Sequence, residues 1–189
     1  LNRRTAVVHA DGTTTSTGYD ALGRRTSETD AAGRVTQFSY DALGRLTAVT
    51  DAAGKPTLYG YDEVGNQVAQ TDALGRTTAY ALDRVGRRVA RTLPGGQQET
   101  FGYNAIGSVL WRKSFGGKTT SFAYDVNNRL ATKTPDPALG QAAVGYTYTA
   151  GGRRATMTDA TGTHTYRYDA RGRLTERVSP QGTVRYDFG

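Results

Sequence analysis

Few side chains in this 189-residue sequence have the type and spacing that catalysis requires. Only two histidines occur, His9 and His164, and a nucleophile–base–acid set could be assembled from Ser179, His164 and Asp169. Ser179 precedes Pro180 in a proline turn, however, and the strand–turn–helix context that presents a nucleophilic serine is missing. The sequence therefore predicts no catalytic residue and no enzymatic activity.

Recurring aspartates suggest a second chemistry, metal binding. The series is Asp30, Asp51, Asp72 and Asp159. Each lies in a turn, where its carboxylate can stabilise the turn without a metal. The glycine–aspartate nonapeptide of calcium-binding β-rolls is missing. Cysteine is absent, which excludes thiolate metal sites and disulfides. We expect neither a metal nor a cofactor.

Cations and aromatic side chains are the remaining candidates for binding. The net charge of +7 is concentrated in residues 76–118, which contain eight arginines and lysines but only two acidic residues. Basic patches serve nucleic acid, anionic lipid or acidic cargo. Several of these cations follow turn glycines, and no nucleic-acid-binding motif accompanies them, so nucleic acid is disfavoured as a partner. The candidate ligand or cargo surface is Tyr59, Tyr61, Trp111, Arg88, Arg91 and Arg112.

A repeat of 21 residues, of which residues 40–60 are one copy, positions these side chains. Self-similarity at a fixed period indicates a repeat architecture. One aligned series is Gly12, Gly33, Gly54, Gly75, Gly96 and Gly117. The other is Gly23, Gly44, Gly65, Gly86 and Gly107, followed by Asn128, a residue type that also adopts left-handed backbone conformations. The 10-residue interval between the two series returns at Gly152 and Gly162, and again at Gly172 and Gly182.

Each repeat contains two turns with aspartate first and glycine fourth, such as Asp41-Ala42-Leu43-Gly44 and Asp51-Ala52-Ala53-Gly54. This pattern is typical of a type I turn followed by a left-handed glycine, which closes a short hairpin with a bulge. The aspartate is expected to accept the backbone N–H two residues on. The apolar residue before the first glycine is predicted to pack against the neighbouring turn. These residues are Leu22, Leu43, Val64, Val85 and Ile106.

The runs between turns, such as 35–40 and 45–50, are rich in Thr, Val, Tyr and Phe and too short for stable helices, so we predict strands. Two positions, two residues apart and therefore on one face, are mostly aromatic. They are Phe38, Tyr59, Tyr80, Phe101 and Phe122, and Tyr40, Tyr61, Leu82, Tyr103 and Tyr124. We expect an aromatic-rich ladder on one side of the sheet. Trp111 replaces small residues of other repeats and is interpreted as a core or rim filler.

These patterns predict an all-β fold: a continuous antiparallel sheet of two-stranded hairpins, about nine units and roughly 18 strands, that coils into a spiral shell or part of one. We assign residues 1–189 to one domain with a loop inserted near 134–145, where Pro135 and Pro137 interrupt the strands. No apolar run reaches membrane-spanning length. The missing initiator methionine and the ending inside a new unit predict a fragment of a larger protein.

The repeat motif resembles the YD repeats of the RHS (rearrangement hot spot) family. The resemblance rests on Tyr19-Asp20-Ala21-Leu22-Gly23-Arg24, Tyr40-Asp41-Ala42-Leu43-Gly44-Arg45 and Tyr168-Asp169-Ala170-Arg171-Gly172-Arg173, and it covers nearly the whole chain. Further motif positions are Gly33, Asp51, Gly54, Tyr61, Asp62, Gly65, Asp72, Gly75, Gly86, Gly96, Tyr103, Gly107, Gly117, Tyr124, Asp125, Asn128, Gly152 and Gly162.

The resemblance implies a hollow β-shell, as in bacterial RHS polymorphic toxins, insecticidal toxin complexes and teneurins. It implies a non-catalytic wall that encloses a C-terminal toxin domain, with the rest of the shell, secretion-apparatus components and an immunity protein as partners. It further implies secretion or delivery by a bacterial system such as type VI secretion, in bacterial competition. The family's self-cleaving C-terminal core is not visible, since Asp136-Pro137-Ala138-Leu139-Gly140 matches it only faintly. The alternative hypothesis is an adhesive or carbohydrate-binding cell-surface module that uses the tyrosine ladder.

Overall fold

Turns at regular intervals fold the sequence into successive β-hairpins. In the computed structural model, which describes residues 3–189, the chain is all-β apart from one short 3-10 helix at Pro137–Leu139. The described residues divide after Gln97 into two units, and each is described by itself. Among them, no helix is long and apolar enough to cross a membrane.

The first unit contains nine strands, and each pairs antiparallel with the next in sequence. They are β1 (Ala6–Val8), β2 (Thr14–Tyr19), β3 (Arg25–Thr29), β4 (Val35–Tyr40), β5 (Leu46–Thr50), β6 (Pro56–Tyr61), β7 (Gln67–Thr71), β8 (Thr77–Leu82) and β9 (Arg88–Thr92).

The second unit has the same plan. Its strands are β10 (Gln98–Tyr103), β11 (Val109–Lys113), β12 (Thr119–Tyr124), β13 (Leu130–Thr134), β14 (Val144–Tyr148), β15 (Arg154–Asp159), β16 (Gly162–Tyr168), β17 (Leu174–Ser179) and β18 (Gly182–Arg185). The prediction of an all-β chain with 18 antiparallel strands is confirmed.

The turns have the backbone hydrogen bonds and the left-handed glycine of the predicted turn type. In the turn between β4 and β5, Gly44 N–H donates to the carbonyl of Asp41 at 3.0 Å, and Asp41 N–H donates to the carbonyl of Arg45 at 3.0 Å. Gly44 has a φ of 81°, a conformation that costs other residues about 1–2 kcal/mol. Asn128 has a φ of 58° and is the one non-glycine residue with positive φ among residues 3–189, which explains why asparagine ends the glycine series.

Besides the bulge predicted at the turn glycine, the strands after every first turn contain a second bulge, which the sequence did not predict. Ser39 pairs with Ala48, but Tyr40 pairs with Leu46, so Thr47 is an extra residue on β5. The same shift occurs in the other hairpins closed by first turns. An extra residue on one strand bends it and increases the local twist. The register therefore bends the sheet once per repeat.

The two faces of the strands differ. Along β4, Thr36, Phe38 and Tyr40 are half-buried, and the alternating Val35, Gln37 and Ser39 are exposed. Phe38 and Tyr40 thus share a face, as predicted. Equivalent rings of successive repeats lie two strands, or about 9.5 Å, apart, which is too far for direct ring stacking. Contacts between the aromatic rows of successive repeats therefore pass through other side chains, and the aromatic-rich ladder stays a prediction.

The prediction that the apolar residue of each first turn packs on its neighbour is wrong. Leu22 and Leu43 are each 76% exposed, and Val64 is 84% exposed. Val85 and Ile106 are similarly exposed. Adjacent first turns are also two strands apart, which exceeds the reach of two aliphatic side chains.

Candidate functional site

The carboxylate of Asp41 organises its turn. One oxygen, Oδ1, accepts the backbone N–H groups of Leu43 and Arg45, both at 2.9 Å. The other, Oδ2, accepts Nε of the Arg45 side chain at 2.6 Å. The hydrogen bond from the Arg45 side chain, followed by that from its backbone N–H, lowers the pKa of Asp41 below the ordinary carboxyl value. The aspartate is thus committed to the turn.

The same aspartate–arginine ion pair recurs along the chain. In first turns the pairs are Asp20–Arg24, Asp41–Arg45, Asp83–Arg87, Asp125–Arg129 and Asp169–Arg173, and in second turns they are Asp30–Arg34 and Asp72–Arg76. From the sequence, Arg76 and Arg87 were recognised only as cations that follow turn glycines. Their spacing of four residues from the turn aspartate is the signal that was missed.

Arg45 also connects its own repeat to the next one. Its Nη1 donates to the carbonyl of Asp62, in the next first turn, at 3.0 Å. Its guanidinium lies 4.9 Å from the centroid of the Tyr61 ring, within range of a cation–π interaction. In return, the Tyr61 hydroxyl donates to the carbonyl of Leu46 at 2.8 Å. We call this set of interactions, between the arginine after a first turn and the tyrosine before the next, the inter-repeat contact.

The inter-repeat contact recurs in both units. Arginines lie over the rings in the pairs Arg24–Tyr40, Arg129–Tyr148 and Arg153–Tyr168. Tyrosine hydroxyls donate to backbone carbonyls of the preceding repeat in the pairs Tyr40–Arg25, Tyr124–Val109, Tyr148–Leu130 and Tyr168–Arg154, at 2.8–3.0 Å. The YD tyrosines and the arginines after the glycines therefore hold successive repeats together.

At one junction of the first unit, other residues replace both members of the inter-repeat contact. Asn66 replaces the arginine of its repeat and donates through Nδ2 to Asp62 Oδ2 at 2.9 Å. The tyrosine it would meet in the following repeat is Leu82. Both members of the contact are thus replaced together, at one junction within the first unit.

The six residues of the candidate ligand or cargo surface have separate surroundings. Tyr59 is half-buried opposite Gln70, while Tyr61 belongs to the inter-repeat contact. Arg88 lies over the Tyr80 ring at 3.8 Å, and Arg91 pairs across the strands with Tyr80.

In the second unit, Trp111 and Arg112 are successive residues of β11 and therefore lie on opposite faces of the sheet. Trp111 is 39% exposed and covers Gly102, where an added Cβ would lie 2.1 Å from the indole nitrogen. Arg112 Nε donates to the buried Glu99 carboxylate. A binding role for the six residues stays a prediction.

The three residues of the candidate nucleophile–base–acid set each contact a different partner. His164 is only 5% exposed, and its Nε2 lies 3.6 Å from Asp159 Oδ2. Ser179 Oγ donates to the carbonyl of Gly182 at 3.0 Å, and Asp169 holds Arg173. Within residues 3–189, these three side chains do not form the hydrogen-bonded relay of a serine hydrolase.

Comparison with known proteins agrees with the repeat geometry. The model of the family described as RHS Repeat matches residues 1–35, 19–56, 61–98 and 155–184, which together make up more than half of the chain. No curated protein matches.

Solved structures with the same fold include the Tc holotoxin pore of Photorhabdus luminescens, at 15% identity and a TM-score of 0.66 over 96% of this chain. Two crystal structures, of TcdB2-TccC3-Cdc42 and TcdB2-TccC3-TEV, match at 16% and 17% identity with TM-scores of 0.58 and 0.57, over 93% and 92% of this chain. The chain spans only 12–13% of the length of these matched chains.

Proposed function

Since this chain belongs to the RHS repeat family, we propose that it is a non-catalytic segment of the wall of a larger RHS shell, and that this shell encloses a C-terminal toxin domain. The observation that carries the proposal is the inter-repeat contact. Tyr61, one of the six residues of the candidate ligand or cargo surface, contacts Arg45 and Leu46 of the preceding repeat, and Arg45 also donates to the backbone of the next first turn.

A wall requires a sheet that can be extended without a thick core. Each repeat contributes its own hairpins and fixes the position of the next repeat through the inter-repeat contact, so repeats can be added while the local interactions stay the same. The bulge after each first turn adds a bend at regular intervals. A sheet that bends by a similar amount in each repeat is suited to curving around an interior space.

The proposed partners are the remaining repeats of the shell and the enclosed toxin domain. The matched structures are a holotoxin pore and TcdB2-TccC3 assemblies, which supports an association with a toxin. We further propose secretion or delivery by a bacterial system such as type VI secretion, with competitor or host cells as targets and an immunity protein in the producing cell. A toxin kept inside the wall would be protected from proteases and separated from the producing cell.

A protease-protection experiment on the polypeptide that contains this chain tests the proposal. The coding sequence on both sides of the chain is read, and the repeats are expressed with whatever domain follows them. The following domain is expected to resist protease when joined to the repeats and to be digested when expressed alone.

The matched control carries Gly44→Val and Gly65→Val. These changes place branched side chains at positive φ in two first turns and should open the wall. Protection that is absent in the wild-type polypeptide, or that persists after the wall is opened, would overturn the proposal.

A further inference from the structure

The second unit carries the single tryptophan of the sequence, Trp111, on the sheet face opposite to the YD tyrosines. On β11 it pairs with Gly102 of β10 and with Ser121 of β12. The rings of Phe101 and Tyr103 lie on the other face, because they alternate with Gly102 along β10. We call the face of strands β10–β13 that carries Trp111 the small-residue face. Its residues are Thr100, Gly102, Trp111, Lys113, Thr119, Ser121, Ala123, Thr132 and Thr134.

The indole of Trp111 occupies space that Gly102 leaves open. A Cβ added at Gly102 would collide with three indole atoms, Nε1, Cε2 and Cδ1, so the five-membered ring lies directly over this glycine. At the corresponding cross-strand pair of the next repeat, Ala123 and Thr132, both side chains are small. Trp111 is thus held on the sheet by the backbone of its neighbour, without a surrounding apolar core.

The indole remains accessible in this position. Trp111 is 39% exposed, which corresponds to about 100 Å² for a side chain of this size. Its Nε1–H donates to no acceptor within the described part of the chain. A residue that only filled the sheet would bury its ring, because exposed aromatic surface is unfavourable in water. The exposed indole is therefore available to a ligand.

Hydroxyl groups and one cation surround the indole. Ser121 is exposed beside Trp111, and Thr100 and Thr119 lie across from Lys113 on the two flanking strands. Lys113 follows Trp111 by two residues on β11, so their Cα atoms are about 7 Å apart and their side chains share a face. Lys113 forms no ion pair with any residue in 3–189, whereas the turn arginines are held by aspartates.

This set of groups fits a sugar ring that carries a carboxylate. A β-linked pyranose with equatorial substituents presents C–H groups on its faces, which pack on an aromatic ring, while its hydroxyls point sideways to hydrogen-bonding partners. A hexuronic acid adds one carboxylate, with which the Lys113 ammonium can form a charge-assisted hydrogen bond. The site therefore fits a glucuronic acid residue better than a neutral hexose.

A nucleotide also combines a flat ring with negative charge. Proteins that bind single-stranded nucleic acid, however, follow its phosphates with a positively charged groove. Lys113 is the one cation among the nine residues of the small-residue face. One cation among hydroxyl groups favours a single carboxylate over a series of phosphates.

We propose that Trp111 and Lys113 bind a glucuronic acid residue of an acidic β-linked polysaccharide, with the sugar ring stacked on the indole and the carboxylate at the Lys113 ammonium. The site lies on the opposite face from the tyrosine ladder and does not involve its rings. The inference goes beyond the proposed wall, because it assigns the small-residue face to the outside of the wall, where a polysaccharide can reach it.

A fluorescence titration tests the inference, because Trp111 is the only tryptophan in the chain. The chain is titrated with β-1,4-linked triglucuronate at constant ionic strength, and a single stacked ring is expected to give a Kd of about 1 mM. Cellotriose has the same linked rings with a hydroxymethyl group in place of each carboxylate and should bind about five-fold more weakly. A short oligothymidylate should bind no more tightly than cellotriose.

Three variants test the assigned roles. Lys113→Gln should weaken binding of triglucuronate about five-fold and leave that of cellotriose unchanged. The matched control, Lys133→Gln, removes an exposed cation from the opposite face of the same unit and should change neither titration. Trp111→Ala should abolish the saturation-transfer NMR signal of the bound sugar, with an unchanged circular dichroism spectrum.

Several results would overturn the inference. They are the absence of both the fluorescence change and the saturation-transfer signal up to about 10 mM triglucuronate, equal affinity for triglucuronate and cellotriose, unchanged affinity in Lys113→Gln, and tighter binding of the oligothymidylate. Each of these results would leave the wall proposal to the protease experiment, which does not depend on this site.

Discussion

At the scale of the residue, Tyr61 acts through both its ring and its hydroxyl. The ring lies against the guanidinium of Arg45, and the hydroxyl donates to the carbonyl of Leu46. Tyr59 has the same residue type and lies on the same face, yet its hydroxyl donates to no acceptor among the described residues. The two tyrosines therefore separate the effect of the hydroxyl from that of the ring.

We predict that Tyr61→Phe lowers the free energy of unfolding by about 1 kcal/mol, because the half-buried Leu46 carbonyl loses its donor. Tyr59→Phe, the matched control, should change it by less than about 0.5 kcal/mol. Urea denaturation followed by circular dichroism measures both values. Equal effects of the two substitutions would show that the hydroxyl of Tyr61 does not stabilise the repeat.

Contacts of single residues could be predicted from the sequence only where both partners are close along the chain. The aspartate and glycine of each turn were predicted because their partners lie within four residues, as Leu43 does for Asp41. The acceptor of the Tyr61 hydroxyl lies 15 residues earlier in the chain. That partner follows from strand register and from the bulge, which no local residue pattern specifies.

At the scale of the element, strand bounds were predictable because glycine turns mark them at fixed intervals. Strands such as β4 and β5 match the predicted runs to within one residue. The bulge opposite Tyr40 was missed because Thr47, the extra residue, is an ordinary strand residue. The exposure of the turn tips was missed for a related reason, since the separation between neighbouring turns depends on how many strands lie between them.

The junction between Asn66 and Leu82 allows the inter-repeat contact to be built rather than removed. We predict that Asn66→Arg and Leu82→Tyr together stabilise the chain by about 1 kcal/mol more than the sum of the single substitutions. The new arginine can form an ion pair with Asp62 and a cation–π contact with the new tyrosine ring. The new tyrosine hydroxyl can donate to the carbonyl of Gln67, which corresponds to Leu46 in the preceding repeat. A double-mutant cycle of urea denaturation measures this coupling.

The matched control replaces Asn66→Arg by Asn66→Lys. Lysine keeps the positive charge but lacks the planar guanidinium, which can hydrogen-bond to the turn and stack on the tyrosine ring at the same time. Its coupling to Leu82→Tyr should be less than half as large. Additive effects of Asn66→Arg and Leu82→Tyr would show that the inter-repeat contact contributes no pairwise stabilisation.

At the scale of the whole molecule, the chain is held together without a large apolar core. Ala90, at 8% exposure, is the one hydrophobic residue classed as buried among residues 3–189. Stability is therefore distributed over strand pairing, turns and inter-repeat contacts, as in other repeat proteins. The net charge and the absence of cysteine agree with this arrangement. They do not predict it, because composition does not show which charged residues lie close enough to form ion pairs.

Distributed ion pairs make the stability of the whole chain sensitive to acid. The pKa is lowered in the folded state for eleven aspartates and for Glu176. At Asp41 and Asp125 the main cause is the side-chain hydrogen bond from the following arginine. A carboxyl group whose folded-state pKa lies below its unfolded value stabilises the fold above the unfolded value, about 3.9 for aspartate, and loses that effect as the pH falls through the folded value.

We therefore predict that the urea midpoint is nearly constant from about pH 8 to pH 5 and falls steadily below about pH 4. The control carries Asp41→Asn, Asp62→Asn and Asp125→Asn. Asn104 shows that asparagine can serve in this turn, since its Oδ1 accepts the backbone N–H groups of Ile106 and Ser108 at 3.1 and 2.8 Å. The triple variant should be less stable at neutral pH and should lose less stability on acidification, because three of the titrating groups are gone. An acid dependence as steep as that of the natural chain would mean that the turn carboxylates are not the groups whose protonation weakens the fold.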